Sequence, residues 1–323
     1  MEYKTIQFEL KDHGEIARLR FNRPDQMNSG ISQEEIRAAI QEVNKDNRVR
    51  VLIVSGNGRA FSAGGDMTRT VEQGAHPPDP IAFREDHKEK AHSEFFSACR
   101  VPTIAQVHGY AMAMGFTLMA QCDLIIAAER TQIGPYGGRF GDGPQFGGYL
   151  FGSMPLRKFN EMVYTYRLMD AEEWCKAGFI NKVVPLDKLE EETLTLAREI
   201  ANINPLITRL QKESIKLTLD IMGYDTAKRS EHLFHVMGDN NVSAWEPKII
   251  EKRRELGMRW FNHAVRAGAF RDIETRDHVI EESYKELQRQ NGTFTDIESM
   301  DRVIKESIEA IRSQEGWNGP KVR

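Results

Sequence analysis

An α/β fold of alternating strands and helices is predicted by two features of the sequence. Short apolar runs rich in β-branched residues, such as "VRVLIVSG" at 49–56, alternate with stretches whose apolar residues recur at helical spacing. Twice, a strand gives way to a cluster of glycine and alanine, at "RAFSAGGDM" (59–67) and "VHGYAMAMG" (107–115). So many small residues in a row exceed what a turn requires, and they let a second backbone or a ligand come close.

The elements follow in order. "IARLRFNRP" (16–24) alternates apolar and polar residues and stops at Pro24, as a strand with one face on a core does. "SQEEIRAAIQEV" (32–43) sets Ser32 and Glu35 at capping-box spacing ahead of Ile36, Ile40 and Val43, which share one helical face. "VRVLIVSG" is a buried strand running into Gly56, directly before the first glycine cluster. About fifty residues on, the same order returns: a strand at Thr103 to Val107, a glycine turn, a helix of small and apolar residues, and a strand at Leu124 to Ala127. A helix start offers unpaired N–H groups and the positive end of a dipole. Two such turns converging on one point would make an oxyanion hole.

Composition narrows the partners. With 323 residues, 40% of them hydrophobic, the chain buries a large core as one big domain or one domain with an appendage. The net charge of -4 comes from 44 basic and 48 acidic residues without a basic block, which argues against nucleic acid. No apolar run approaches the ~18 residues that a membrane span needs. Cys99, Cys122 and Cys175 form no CxxC pair and no early apolar segment suggests secretion, so a cytoplasmic location and no metal cluster are expected. The glycine clusters match neither the phosphate loop, which needs GxxxxGK before Ser or Thr, nor the GxGxxG dinucleotide pattern.

Four motifs, "NRPDQMN" (22–28), "GRAFSAGGDM" (58–67), "VPTIAQVHGYAMAMGFTLMAQCDLIIAAERTQIG" (101–134) and "AGFINKVVP" (177–185), occur in the order and spacing of the crotonase, or enoyl-CoA hydratase/isomerase, family. The chain resembles that family over residues 1 to 260. The resemblance implies a spiral of ββα repeats over 1–200 holding an acyl-CoA site and a helical trimerisation region over 201–267, and residues 268–323 depart from the short family form as an added helical extension. It also implies a homotrimer or homohexamer, with coenzyme A present as part of the substrate and no other cofactor. By motif match, the thioester carbonyl would be held by the amides of Gly65 and Met114, where the family usually has glycine at the second position. Gln26, Ala63, Gly64, Asp66, Gly115 and Thr117 fall at substrate-binding positions, and Asp66 also suits a helix N-cap.

The chain departs from the hydratase pattern in its acid and base. Where typical members carry two glutamates, it has Thr117 and Gly137, which cannot supply the pair that hydration uses. The following loop, 135–152, offers Asp142 as an acid, base or substrate-binding group, or else a turn former before Gly143, and Tyr136 as a proton donor or a packing residue. His108 either faces the pocket or closes a backbone hydrogen bond, and Met112, Met114 and Met119 either line an acyl cavity or belong to the core. "HLFH" (232–235) lacks a third metal ligand nearby in sequence and reads as a helix-surface pair. The expectation is an acyl-CoA enzyme of lyase, isomerase or hydrolase type working through an enolate or oxyanion; the alternative is a non-catalytic acyl-CoA-binding or assembly subunit. Beyond Gly268, Ile280, Tyr284 and Leu287, then Ile297, Met300, Ile304, Ile308 and Ile311, mark two amphipathic helices separated by Gly292.

Overall fold

A computed structural model of the chain describes residues 3–66, 95–135, 154–224, 273–289 and 297–313, with isolated positions between 226 and 264. The chain divides into two compact units, Met1–Asp66 with His76–Asn241 and Met67–Ala75 with Val242–Arg323. The first contains strands β1 (Ile6–Lys11), β2 (Ile16–Phe21), β3 (Val51–Gly56), β4 (Thr103–Val107), β5 (Tyr110–Met112), β6 (Leu124–Ala128), β7 (Gln132–Gly134), β8 (Met169–Asp170) and β9 (Lys182–Val184). Its helices are α1 (Gln33–Lys45), α2 (Met114–Ala120), α3 (Leu156–Thr165), α4 (Ala171–Lys176), α5 (Leu189–Ala201) and α6 (Pro205–Ile221).

Six strands form one sheet in the order β1-β2-β3-β4-β6-β9, parallel throughout except for the β1–β2 hairpin. The short strands β5, β7 and β8 form a second sheet. Each long strand β4 and β6 is followed by a short one, β5 and β7, so successive turns of chain add a parallel rung to both sheets. The period-2 pleat sorts the large sheet's side chains. Leu19, Leu52, Ala105 and Ile125 face a core shared with α1 and α2, while Ile16, Val51, Ile104 and Val184 face a second core under α5.

This double burial corrects the one-sided strand expected at 16–24. β2 lies between β1 and β3, and even Arg18 is only 1% exposed, its Nη1 donating to Glu190 Oε1 on α5 at 2.6 Å. The polar residue in that alternation is a buried arginine that reaches an exposed carboxylate, not part of a wet face. The capping box is likewise only half formed. Ser32 Oγ accepts from Glu35 N–H at 3.3 Å, but the Glu35 carboxylate accepts from Thr5 N–H and Lys4 N–H on the approach to β1, and Ser32 N–H donates to Thr5 Oγ1. Despite burial, those bonds hold the Glu35 carboxyl below the ordinary carboxylate range.

α6 has its amphipathic sense reversed. Arg209 and Lys212 point to the sheet, bonding the carbonyl oxygens of Val49 and Val101, while Leu206, Leu210, Leu217 and Ile221 share the opposite, exposed face. In the second unit, α7 (Ile273–Arg289) packs against α8 (Ile297–Arg312). α8 buries Met300, Ile304, Ile308 and Ile311 as expected, with Val303 and Ser307. Among the described side chains of α7 the buried ones are Thr275, Val279 and Ser283; Ile280 and Tyr284 are half-buried, one position round from the expected stripe, and the side chains of Leu287 and Ile297 lie outside those described. Among the described residues no helix is long and apolar enough to cross a membrane.

Candidate active site

The two glycine clusters meet. Ser62 forms a parallel bridge with Ala111 of β5: its N–H donates to Tyr110 O at 3.0 Å and its carbonyl accepts from Met112 N–H at 3.0 Å. This pairing carries Ala63, Gly64 and Gly65 alongside the backbone that leads into α2. At Gly64, with φ +101°, a Cβ would stand 2.8 Å from Met112 O and 3.3 Å from Met114 N. At Gly115 a Cβ would stand 2.4 Å from Ser62 O. Both positions therefore admit only glycine without displacement of backbone, which answers why the two clusters are built from small residues.

The helix of the second cluster does not begin at the Gly109 turn, as the sequence suggests, because β5 intervenes. α2 starts at Met114, and its N-cap is Ala113 at φ 48°, ψ -120°, a region that side-chain-bearing residues seldom occupy. Such strain persists only where the surroundings over-determine it and clusters at functional sites. Here Ala113 N–H is fixed on Gly134 O of β7 at 3.2 Å. Among the described residues, neither the Gly65 N–H nor the Met114 N–H meets an acceptor. Gly65 is exposed, with nothing within 4 Å of where its Cβ would be.

Under the first cluster lies the loop 22–30. Asn28, fully buried at φ 53°, ties its own loop to the chain after β3: Oδ1 accepts from Arg23 N–H, and Nδ2 donates to Asn57 O and Ala60 O, each at 2.8 Å. Ser62 Oγ donates to Asn28 O at 2.7 Å and accepts from Gly64 N–H at 3.2 Å. Ala63 N–H donates to Met27 O, and Gly30 N–H to Gly64 O. The Asp66 carboxylate pairs with Arg23, 3.3 Å from both Nη1 and Nη2. Residues 67–94 lie outside the described residues, so the N-cap role expected of Asp66 does as well.

Among the other residues singled out by the sequence, Gln26 is exposed and ends a 3-10 turn. Thr117 is buried in α2, its Oγ1 3.4 Å from Ala113 O. Phe116, one residue before it, packs with Trp174 and Phe179, and Trp174 Nε1 donates to Ile133 O. His108 takes its structural option, Nε2 lying 2.8 Å from Gly58 O. Met119 is core, while Met114 is partly buried at the core's edge. Tyr136, Gly137 and Asp142 lie outside the described residues, as do His232 and His235. Sequence reasoning passed over Arg23, Asn28 and Ser62 as individual residues; their signal was membership of the "NRPDQMN" and "GRAFSAGGDM" motifs.

The sequence profile of the enoyl-CoA hydratase/isomerase family matches residues 11–254. The chain belongs to the enoyl-CoA hydratase/isomerase family. A putative enoyl-CoA hydratase of Mycobacterium tuberculosis is 32% identical over 248 residues, 70% of this chain and 78% of that one. Two solved structures share the fold. A probable enoyl-CoA hydratase of Mycobacterium thermoresistibile has a TM-score of 0.64 at 32% identity, covering 74% of this chain and 98% of its own. An enoyl-CoA hydratase/isomerase of Xanthobacter autotrophicus Py2 has a TM-score of 0.70 at 27% identity, covering 80% and 96%. The crotonase fold read from four motifs is thus borne out.

Proposed function

We propose that the protein binds an acyl-CoA thioester and stabilises negative charge on its carbonyl oxygen with the N–H groups of Gly65 and Met114. The observation that supports this is the apposition of Gly64 with the Met112–Met114 backbone, which lays the two segments carrying these acceptor-free amides side by side. Chemistry beside a thioester passes through an enolate or a tetrahedral adduct, and preorganised donors lower that barrier by ~3 to 4 kcal/mol each. Gln26, Ala63, Gly64, Asp66, Gly115 and Thr117 are assigned to the substrate by their positions in the family's motifs, and coenzyme A enters only as part of the substrate.

Simple hydration is not the reaction we assign. It needs one group to activate water and another to protonate carbon, and Thr117 holds a hydroxyl where an acid or base is wanted. Isomerisation, C–C bond hydrolysis and decarboxylation use the same enolate-stabilising pair, with Asp142 as the first choice of acid or base and Tyr136 as a proton donor. Assays of an acyl-CoA panel, paired with calorimetry, test this. Turnover of one thioester with crotonyl-CoA hydration negligible, and a roughly tenfold or larger loss in Asp142→Asn with binding retained, is the expected result. Rapid crotonyl-CoA hydration overturns the assignment; binding of every thioester with turnover of none favours an acyl-CoA-binding or assembly subunit.

The exposed apolar face of α6 supports assembly into a homotrimer or homohexamer. A helix that turns its cations to its own sheet and four aliphatic residues to water has its partner surface elsewhere.

A further inference from the structure

Gly65 has no side chain, and nothing lies within 4 Å of where its Cβ would be, so the ties on the residues either side of it bear on the direction of its peptide. Gly64 is tied through its carbonyl to Gly30 N–H at 2.9 Å. Asp66 is tied through its carboxylate to Arg23, whose Nη1 also donates to Ser29 O at 2.7 Å and Gly30 O at 3.0 Å. Both ties therefore end on the same node. Gly30, at φ +61°, makes the node possible: a Cβ there would stand 2.5 Å from Arg23 Nη1 and 2.6 Å from Asp66 Cβ. Arg23 is itself held at both ends of its backbone by Asn28, N–H to Oδ1 at 2.8 Å and O to Asn28 N–H at 2.9 Å. The ion pair is mostly shielded from solvent, with 24% and 14% of the two side chains exposed, so water competes little for its donors.

Resting on the two-amide reading above, we propose that Arg23 is a positioning residue: through Asp66 its guanidinium sets the direction in which the Gly65 N–H points, and hence the polarisation of the thioester carbonyl. A planar fork can grip two carbonyls and a carboxylate at once, whereas an ammonium supplies charge without that geometry.

A chromophoric thioester, 4-dimethylaminocinnamoyl-CoA, separates positioning from folding. Its absorption moves to the red when the carbonyl is polarised, because the donor-to-carbonyl charge transfer becomes easier. The wild type is expected to bind it with a red shift. Arg23→Gln and Asp66→Asn should bind it with most of that shift lost, and Arg23→Lys should melt with the wild type while recovering only part of the shift. A full red shift in Arg23→Gln overturns the proposal. So does a full shift in Arg23→Lys if Arg23→Gln fails to fold, for then charge suffices and the pair is a staple. Wild type that binds the probe without any shift defeats the two-amide reading itself, and wild type that does not bind it defeats the acyl-CoA reading; either result removes the proposal with its premise.

Discussion

Lys212 reaches from α6 to the sheet, its Nζ 2.6 Å from Asp123 Oδ2. The same oxygen accepts from Thr103 N–H at 2.7 Å and from Thr103 Oγ1 at 2.8 Å, so a single carboxylate gathers three donors at the end of β4. Asp123→Ala leaves both Thr103 donors unmatched and Lys212 with Val101 O alone, and is expected to cost about 1 to 3 kcal/mol. Urea unfolding measures it; a loss below about 0.5 kcal/mol, the range of an ordinary surface substitution, would contradict the gathering role.

Gly65 and Gly115 belong to the two glycine clusters that meet at Ser62 and Ala111 but differ in what surrounds them. Gly115→Ala drives a methyl into Ser62 O and is expected to cost about 1 to 3 kcal/mol, as overpacking does. Gly65→Ala meets nothing within 4 Å and should unfold within about 0.5 kcal/mol of wild type. Thermal melts of the two variants check the contrast, and equal destabilisation would show that the clusters do not interlock as described.

Glu173 on α4 accepts from Arg167, Nη1 to Oε2 at 2.8 Å, and from Lys158 on α3. Arg167 above all, with Lys158, holds its carboxyl down to about 2 against the opposing effect of burial. A carboxyl lowered in the folded state stabilises above its unfolded value, about 4.3, and that contribution drains away as pH falls toward the folded value. Stability should therefore drop between about pH 5 and pH 2, and drop less steeply in Glu173→Gln. Unfolding midpoints measured across that window with identical slopes for both proteins would refute the assignment.

Leu210 and Leu217 stand exposed on the face of α6 that turns away from the sheet. Leu217→Glu is expected to shift the protein from oligomer to monomer with little change in secondary structure, since neither side chain supports the described core. Light scattering reads the mass. A wild type that is monomeric at micromolar concentration, or a variant that assembles unchanged, would remove α6 from the interface.

The parts of the fold that show in the sequence are those whose pattern is local. β3, β4, β6 and α1 repeat apolar residues at their own period, and their limits agree with expectation to within two residues. β5 and β8, three residues and two residues long, are too short to carry a period. Arg18 is hidden from local reading for another reason: the carboxylate that makes its burial tolerable is 172 positions away. In the site, glycine clusters announce close backbone approach, because little else requires them. Asn28 acts mainly by bonding backbone groups of other segments, and Arg23 joins two carbonyls of its own loop to a carboxylate 43 positions away, so nothing local in the sequence signals their partners. The reversed face of α6 is equally concealed, since a helical stripe of leucine ordinarily means core.

The parallel pairing of β6 with β9 has a consequence during synthesis. Asn181, whose Oδ1 and N–H cap Ile125 at the edge of β6, follows it by 56 positions. At roughly 5 to 20 residues per second, the ribosome leaves the Ile125 edge without its partner for roughly 3 to 11 s. Throughout that interval the nascent sheet ends in an apolar strand with unmet hydrogen bonds, the form most prone to pair with another chain. Yield of soluble protein should accordingly depend on chaperone supply and translation speed over codons 129–184 more than on the stability of the finished molecule.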